Sequence, residues 1–278
     1  MSIGDFHCHS NNSDGILKPT QLVKKAKKNG VKYLAITDHD SISGIHEAKE
    51  IAKEIKGITI IPGIELSIDV LEEDVHILGI FIDEKNPELI NKLKKLRKAR
   101  INRAKELLIE LKKDNIIIDW QLIKRIAGNA TIGRPHIARA MVELDYVKSV
   151  QEAFNEYLSK DRYSKIKREK LELKNALEII HNSGGISVLA HPTLIKKFDA
   201  VLKLLIQSHL DGIEIYYKNY SKKIINKLLK VSIQKKLIAL GGSDYHGIHG
   251  NQEKEPGNIP FPNEIVERLI KKYYKENQ

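Results

Sequence analysis

Seven short runs rich in Ile, Val, Leu and Tyr punctuate this chain, near 3–9, 32–37, 58–63, 75–82, 186–190, 212–216 and 236–241. Most end on or beside a histidine or an acid. Several are apolar almost without break, the pattern of parallel strands buried on both faces. Helical patterns lie between most of them, with Pro and Gly at their starts and stops. Pro19-Thr20 opens one that closes before Gly30, Ser43 precedes another that closes at Gly57, and 173–182 ends before Gly184-Gly185. Leu202, Leu205 and Ile206 mark a further helical face, and 220–234 is another. This alternation predicts an α/β fold with a parallel sheet. Seven βα units carrying polar groups at the strand ends predict a barrel whose chemistry sits on the loops after the strands. An open, doubly wound sheet would gather its ligands at one switch point instead.

The interval 86–170 breaks the rhythm. Residues 87–115 form one long basic helical pattern, helical segments follow near 119–127, 134–144 and 149–159, and the next strand pattern comes at 186. The expected organisation is a barrel domain built from 1–98 and 169–278, interrupted by an α-helical insertion at 99–168. Such an excursion from the catalytic rim either stabilises the domain or forms a lid over substrate. The charged tail at 271–278 is expected to fray.

With 278 residues, 41% of them hydrophobic, the chain can bury a substantial core. Its one cysteine excludes an intrachain disulfide framework and a thiolate zinc-finger site. Cys8 is expected to be a small buried residue on the opposite face of its strand from its neighbours. The chain opens directly on a strand, with no leader pattern and no apolar run of bilayer length, which predicts a cytoplasmic protein with no membrane partner. A net charge of +11 fits an anionic substrate without identifying it. The basic runs Lys24-Lys25-Ala26-Lys27-Lys28 and 92–98 read as solvated faces of amphipathic helices.

The chemistry lies in the polar groups at the strand ends. In Asp5-Phe6-His7-Cys8-His9, alternation along a strand puts His7 and His9 on one face, a poor core but a good pair of metal ligands. Asp14, His39, Glu65, His76, His191, Asp244 and His246 complete nine candidate ligands, six imidazoles and three carboxylates. Such donors suit Zn²⁺, Mn²⁺ or Fe²⁺, and nine exceed the needs of one ion. Two or three divalent ions are expected, with carboxylates free to bridge. Adjacent ions lower the pKa of water and neutralise phosphate oxygens, so the set points to hydrolysis by a metal-activated hydroxide without a nucleophilic Ser or Cys. Asp5 alternates in phase with His7 and His9, while Asp38 and Asp40 flank His39; all three either orient imidazoles or shape turns. His46, His181, His209 and His249 are expected to be ordinary structural or surface histidines.

In order along the chain, Asp5-Phe6-His7-Cys8-His9, Asp14-Gly15, Thr37-Asp38-His39-Asp40, Pro62-Gly63-Ile64-Glu65, Val75-His76, Ala190-His191-Pro192 and Gly242-Ser243-Asp244-Tyr245-His246 resemble the motifs of the PHP (polymerase and histidinol phosphatase) family. The resemblance implies a distorted (β/α)₇ TIM-like barrel and a trinuclear site. By analogy His7, His9, Glu65 and Asp244 hold one metal, Glu65 bridges to a second held by His76 and His191, and Asp14, His39 and His246 hold a third. Glu65, Asp244 and His191 then act in catalysis through the hydroxide the metals hold.

Within the insertion, Thr131-Ile132-Gly133-Arg134-Pro135-His136-Ile137-Ala138-Arg139 and Ala153-Phe154-Asn155-Glu156-Tyr157-Leu158 are similar to the branch of nucleoside 3′,5′-bisphosphate phosphatases, some of which also trim short RNA from the 5′ end. There the Gly-Arg-x-His element binds substrate phosphate. Arg134 offers paired donors, His136 can add another, and Lys160 or Arg162 can add charge. The Gly-rich turn of that branch is replaced here by Ser159-Lys160-Asp161-Arg162-Tyr163. Two other readings stand beside this one. One is a small-metabolite phosphatase acting on a compound such as histidinol phosphate. The other is a basic RNA-binding protein with a structural metal site, favoured by the helix near 92–113 and opposed by the intact ligand set.

Overall fold

The computed structural model describes residues 1–159, 166, 171–248 and 253–274. The chain forms two compact units, Met1–Ile90 with Lys170–Gln278, and Asn91–Glu169.

The first unit is built on a seven-stranded sheet in sequence order: β1 (Gly4–Asp5), β2 (Tyr33–Ile36), β3 (Thr59–Val70), β4 (Glu73–Ile80), β5 (Ile186–Leu189), β6 (Gly212–Tyr217) and β7 (Ile238–Gly242). The sheet nearly closes on itself. Past β1 the Phe6 N–H donates to Gly241 O at 3.1 Å, the Asp244 N–H to His7 O at 2.7 Å and the His9 N–H to Tyr245 O at 2.9 Å.

The expectation of parallel strands throughout is corrected at one place. β1, β2 and β3 are parallel, and so are β5, β6 and β7, but β4 runs antiparallel to both neighbours. A parallel crossover needs a dozen or more residues, and only Leu71 and Glu72 separate β3 from β4. Both adopt positive φ, +53° and +68°, as a tight hairpin turn requires. Neither is the Asn, Asp or Gly that marks such turns in a sequence, so the hairpin was not legible there.

Helices cover the outside: α1 (Pro19–Lys28), α2 (Ile45–Ile55), the start of α3 (Pro87–Lys113), α7 (Leu173–Asn182), α8 (Phe198–Gln207), α9 (Lys222–Lys235) and α10 (Asn263–Tyr273). The 3₁₀ turn Pro192–Leu194 follows β5. α1 starts with Pro19 in its first turn, where the missing N–H costs nothing. It buries Leu22, Val23 and Ala26 against Ile45, Ala48 and Ala52 of α2 and Leu34 and Ile36 of β2. Lys24, Lys27 and Lys28 stay exposed on its outer face. Cys8 is fully buried in the same cluster. α10 has no counterpart in the sequence reading, although Phe261-Pro262 is punctuation of the kind that opens a helix.

The second unit holds the rest of α3 with α4 (Trp120–Ala127), α5 (Arg134–Glu143) and α6 (Val150–Glu156). Asp119 caps α4 by accepting from the Gln121 N–H, and Ser149 caps α6 by accepting from the Glu152 N–H. Its core is its own: Leu107, Leu111, Ile123, Ile137, Met141 and Leu158 are buried together. No described helix is long and apolar enough to cross a membrane.

Candidate metal centre

His7 and His9 follow β1, His39 follows β2, His191 follows β5, and Asp244 and His246 follow β7. Glu65 lies inside β3, which runs on past its parallel pairing with β2, so this ligand is within a strand rather than after one. His76 stands near the start of β4. Because β4 is reversed, its beginning lies at the rim where the parallel strands of the sheet end. β1 is shorter than the run 3–9 suggests, with only a bridge from Cys8 to Tyr245 beyond it. The alternation persists nonetheless: the Nε2 atoms of His7 and His9 lie 3.1 Å apart, and Cys8 turns into the core. Gly242 gives His7 its room, since a Cβ there would collide with the histidine.

Nine side chains converge. His7 Nε2 lies 3.5 Å from Glu65 Oε2 and 3.3 Å from Asp244 Oδ1; His9 Nε2 lies 3.2 Å from each of those oxygens. Glu65 Oε1 lies 2.8 Å from His76 Nδ1 and 3.2 Å from His191 Nε2, and Oε2 lies 3.0 Å from His39 Nδ1. Asp14 Oδ1 is 3.4 Å from His246 Nε2 and 3.7 Å from His9 Nδ1, while its Oδ2 is 3.7 Å from His39 Nε2. Three sets have ligand atoms within 4.8 Å of one another: His7, His9 and Glu65; His39, Glu65 and His76; and His9, Asp14, His39 and His246. His9 and His39 thus each face two sets, one ring nitrogen to Asp14 and the other to Glu65. The grouping by resemblance gave each of them to one.

Electrostatics holds the acids ionised. Burial alone would raise the pKa of Glu65, but His39, His76 and His7 outweigh it and hold the carboxyl well below its usual range. Burial is likewise outweighed at Asp14 by His39 and His246, and at Asp244 by His7, His246 and Lys218. Burial pushes His39 down to about 3, against the pull of Glu65 and Asp14. The donors suit a divalent cation. Two buried ring nitrogens, His9 Nδ1 and His39 Nδ1, have no hydrogen-bond partner among the described residues, although His39 Nδ1 is close to Glu65. Ring nitrogens and ionised oxygens crowded together are the kind of donor set that such an ion takes.

Around the cluster, Asp5 and Asp38 hold backbone and hydroxyls rather than imidazoles. Asp5 accepts from the N–H groups of Ser243 and Gly257 at 2.9 and 2.8 Å. Asp38 accepts from the Ser10 N–H at 2.8 Å and from the Ser10 and Ser13 hydroxyls, each at 2.6 Å. It thereby fixes the loop that leads to Asp14. Three residues outside the sequence-derived set also touch the cluster. Glu214 Oε1 lies 3.0 Å from His7 Nδ1, Tyr217 donates its hydroxyl to Asp244 Oδ2 at 2.7 Å, and Lys218 Nζ lies 3.1 Å from the same oxygen. Their signal in the sequence was an acid inside an otherwise apolar strand, Gly212-Ile213-Glu214-Ile215-Tyr216-Tyr217.

Arg134 and His136 belong to the second unit. Gly133 is the N-cap of α5, and its N–H donates to His136 Nδ1 at 3.1 Å. That bond leaves the ring proton of neutral His136 on Nε2. Arg134 lies over the Phe154 ring at 5.6 Å and donates to Leu158 O at 3.1 Å. Lys160 and Arg162 lie outside the described residues. Of the four histidines expected to be ordinary, His181 packs its Nε2 2.8 Å from Asp211 Oδ2 near the start of β5, and His249 lies outside the described residues.

The PHP domain family model matches residues 5–275, and the chain belongs to this family. A 5′-3′ exoribonuclease of Haemophilus influenzae is 35% identical over 246 residues, covering 87% of this chain and 89% of the relative. A 3′,5′-nucleoside bisphosphate phosphatase of Chromobacterium violaceum is 32% identical over 250 residues, covering 87% of this chain and 86% of the relative. Among solved structures, an amidohydrolase from Chromobacterium violaceum with bound sulfate superposes with a TM-score of 0.87 at 28% identity, covering 97% of this chain and 96% of that one. A Bifidobacterium adolescentis protein assigned as a metal-dependent phosphoesterase matches as well, with a TM-score of 0.87 at 28% identity over 98% and 96% of the two chains. The chain is a hydrolase, and its His, Glu and Asp cluster suits metal binding.

Proposed function

We propose that this phosphoesterase removes phosphate from nucleotides, with nucleoside 3′,5′-bisphosphates or the 5′ ends of short oligoribonucleotides as substrates. The observation that carries the reading is the meeting of His7 Nε2, His9 Nε2, Glu65 Oε2 and Asp244 Oδ1 within 3.5 Å of their neighbours, from three separate strands. The relatives' activities on bisphosphates and RNA support the substrate class.

In this reading two or three divalent ions, of Mn, Zn or Fe, are held by His7, His9, Asp14, His39, Glu65, His76, His191, Asp244 and His246. Bound ions would supply an acidified water and neutralise the charge of the phosphoryl group. Glu65 presents one oxygen to His76 and His191 and the other to His7, His9 and His39, the disposition of a carboxylate that serves two ions. Asp244 turns Oδ1 to His7 and His9 while Tyr217 and Lys218 occupy Oδ2, so Oδ1 is the oxygen it would offer an ion. Arg134 and His136 bind substrate phosphate: a guanidinium is a planar, permanently charged fork, and an imidazole N–H is a donor of the kind a phosphate oxygen accepts. Lys160 and Arg162 add positive charge.

The test is phosphate release from nucleoside 3′,5′-bisphosphates, nucleoside monophosphates, 5′-phosphorylated oligoribonucleotides and histidinol phosphate, with added Mn²⁺. Turnover of the bisphosphate or the oligonucleotide well above histidinol phosphate is expected. Turnover of histidinol phosphate alone sinks the nucleotide reading, and salt-dependent RNA binding without any turnover sinks the enzymatic one.

A further inference from the structure

Strand β6 contributes none of the nine ligands, yet its central acid reaches two of them. Glu214 is fully buried. Its Oε1 lies 3.0 Å from His7 Nδ1, and its Oε2 accepts from the main-chain N–H of His191 at 2.7 Å. One carboxylate therefore holds the ring of one candidate ligand and the backbone of another. The backbone it holds is strained: His191 has φ +29°, a conformation that a branched or bulky side chain adopts only under constraint.

We propose that Glu214 is the positioning residue that sets the tautomer of His7 and fixes the backbone of His191, so that both imidazoles present lone pairs to the metal cluster. This role rests on the metal reading given above. A carboxylate oxygen can only accept, so the neutral His7 ring carries its proton on Nδ1. Nε2 is left bare, facing His9, Glu65 and Asp244 at 3.1–3.5 Å. A ligating histidine whose far nitrogen donates to a carboxylate is fixed in orientation and made more basic toward the ion. His246 repeats the device with a different acceptor: its Nδ1 lies 3.0 Å from the main-chain O of Asp244, which turns Nε2 toward Asp14.

The isosteric variant Glu214→Gln separates this role from packing. Glutamine offers one acceptor and one donor end in place of two acceptors. The His191 N–H can only donate, so it takes the amide oxygen. The amide NH₂ then faces His7 Nδ1, which must accept, and the ring proton moves to Nε2, where it blocks ligation. Volume and contacts are otherwise kept.

The experiment uses the full chain and Zn²⁺ alone as probe, with affinity measured by chelator competition and thermal midpoint recorded in parallel without metal. Glu214→Gln is expected to keep the metal-free midpoint and weaken zinc binding by roughly 10–100-fold, the range seen when such outer partners are lost. Zinc affinity within about twofold of wild type overturns the role, on the same scale. Should the variant not fold, ¹⁵N-histidine spectra of zinc-loaded wild type decide: a proton on His7 Nδ1 supports the proposal and one on Nε2 overturns it. Wild-type protein that binds no zinc overturns the metal reading and this role with it, which distinguishes that failure from a loss of the role alone.

Discussion

Lys218 grips Asp244 twice: its Nζ lies 3.1 Å from Oδ2 and donates to the main-chain O at 2.9 Å. Asp244 has a φ of +49°, in the left-handed region that Asp tolerates better than most residues, and the two bonds hold it there. Replacing Lys218 by Met removes both bonds and keeps most of the aliphatic stem. The expected cost is about 1.5–3 kcal/mol of stability, the range for a bond to a charged partner, together with weaker metal binding. Urea unfolding and metal titration of Lys218→Met check this, and an unchanged denaturation midpoint would refute the role.

Glu65 sits where five imidazoles meet its two oxygens. Glu65→Ala is expected to lose metal and activity together, by more than the roughly 10–100-fold that losing an outer partner costs. Elemental analysis of the reconstituted variant is the measurement. Full metal occupancy would argue against a bridging carboxylate.

Arg134→Ala should leave metal content intact and weaken use of the nucleoside 3′,5′-bisphosphate. A charge-assisted bond of about 1.5–3 kcal/mol corresponds to a loss of roughly 10–150-fold in kcat/KM. Steady-state kinetics of the variant would expose the idea as wrong if activity toward the bisphosphate were unchanged. Arg134→Lys is not expected to rescue fully, because the planar fork is lost.

Asp38 is completely buried and accepts three hydrogen bonds from Ser10 and Ser13. Asp38→Ala strands those donors, at a cost of roughly 1–3 kcal/mol for each group left unpaired and not recovered by water. The loop before Asp14 should loosen with them. Thermal unfolding should show the loss, and hydrogen exchange should rise first in residues 10–15. Exchange at wild-type rates in that loop would contradict the assignment.

Tyr220 gives an alkaline signature. Burial raises its pKa to about 12, with its hydroxyl 2.8 Å from Thr193 Oγ1. The folded chain keeps this proton to about 12 while an unfolded one releases it near 10. The contribution to stability is therefore fully present below about pH 10, declines as pH rises through the interval, and is gone above the folded value. Ultraviolet titration of tyrosinate in wild type and Tyr220→Phe should show one late-ionising group missing from the variant. A Tyr220 that titrates with the exposed tyrosines would reject the shift.

Much of the site was legible before any coordinates. Ligation needs particular chemical groups, and His7, His9, His39, His191, Asp244 and His246 announce themselves as polar residues beside apolar strands, where core packing would not put them. The positions of the seven strands and of most helices followed from period and punctuation, because both are local properties of the chain. What the tertiary structure alone decided is what depends on contacts across it. The reversal of β4 comes from a turn whose residues carry no turn signature, and it is this reversal that brings His76 to the common rim. The double engagement of His9 and His39 depends on where rings from different strands meet Asp14 and Glu65. Glu214 and Lys218 act on residues more than twenty positions away, His7 and Asp244, and no spacing in a one-dimensional pattern reports such a distance. Sequence fixes which donors exist; only the closing of the sheet determines which of them face one another.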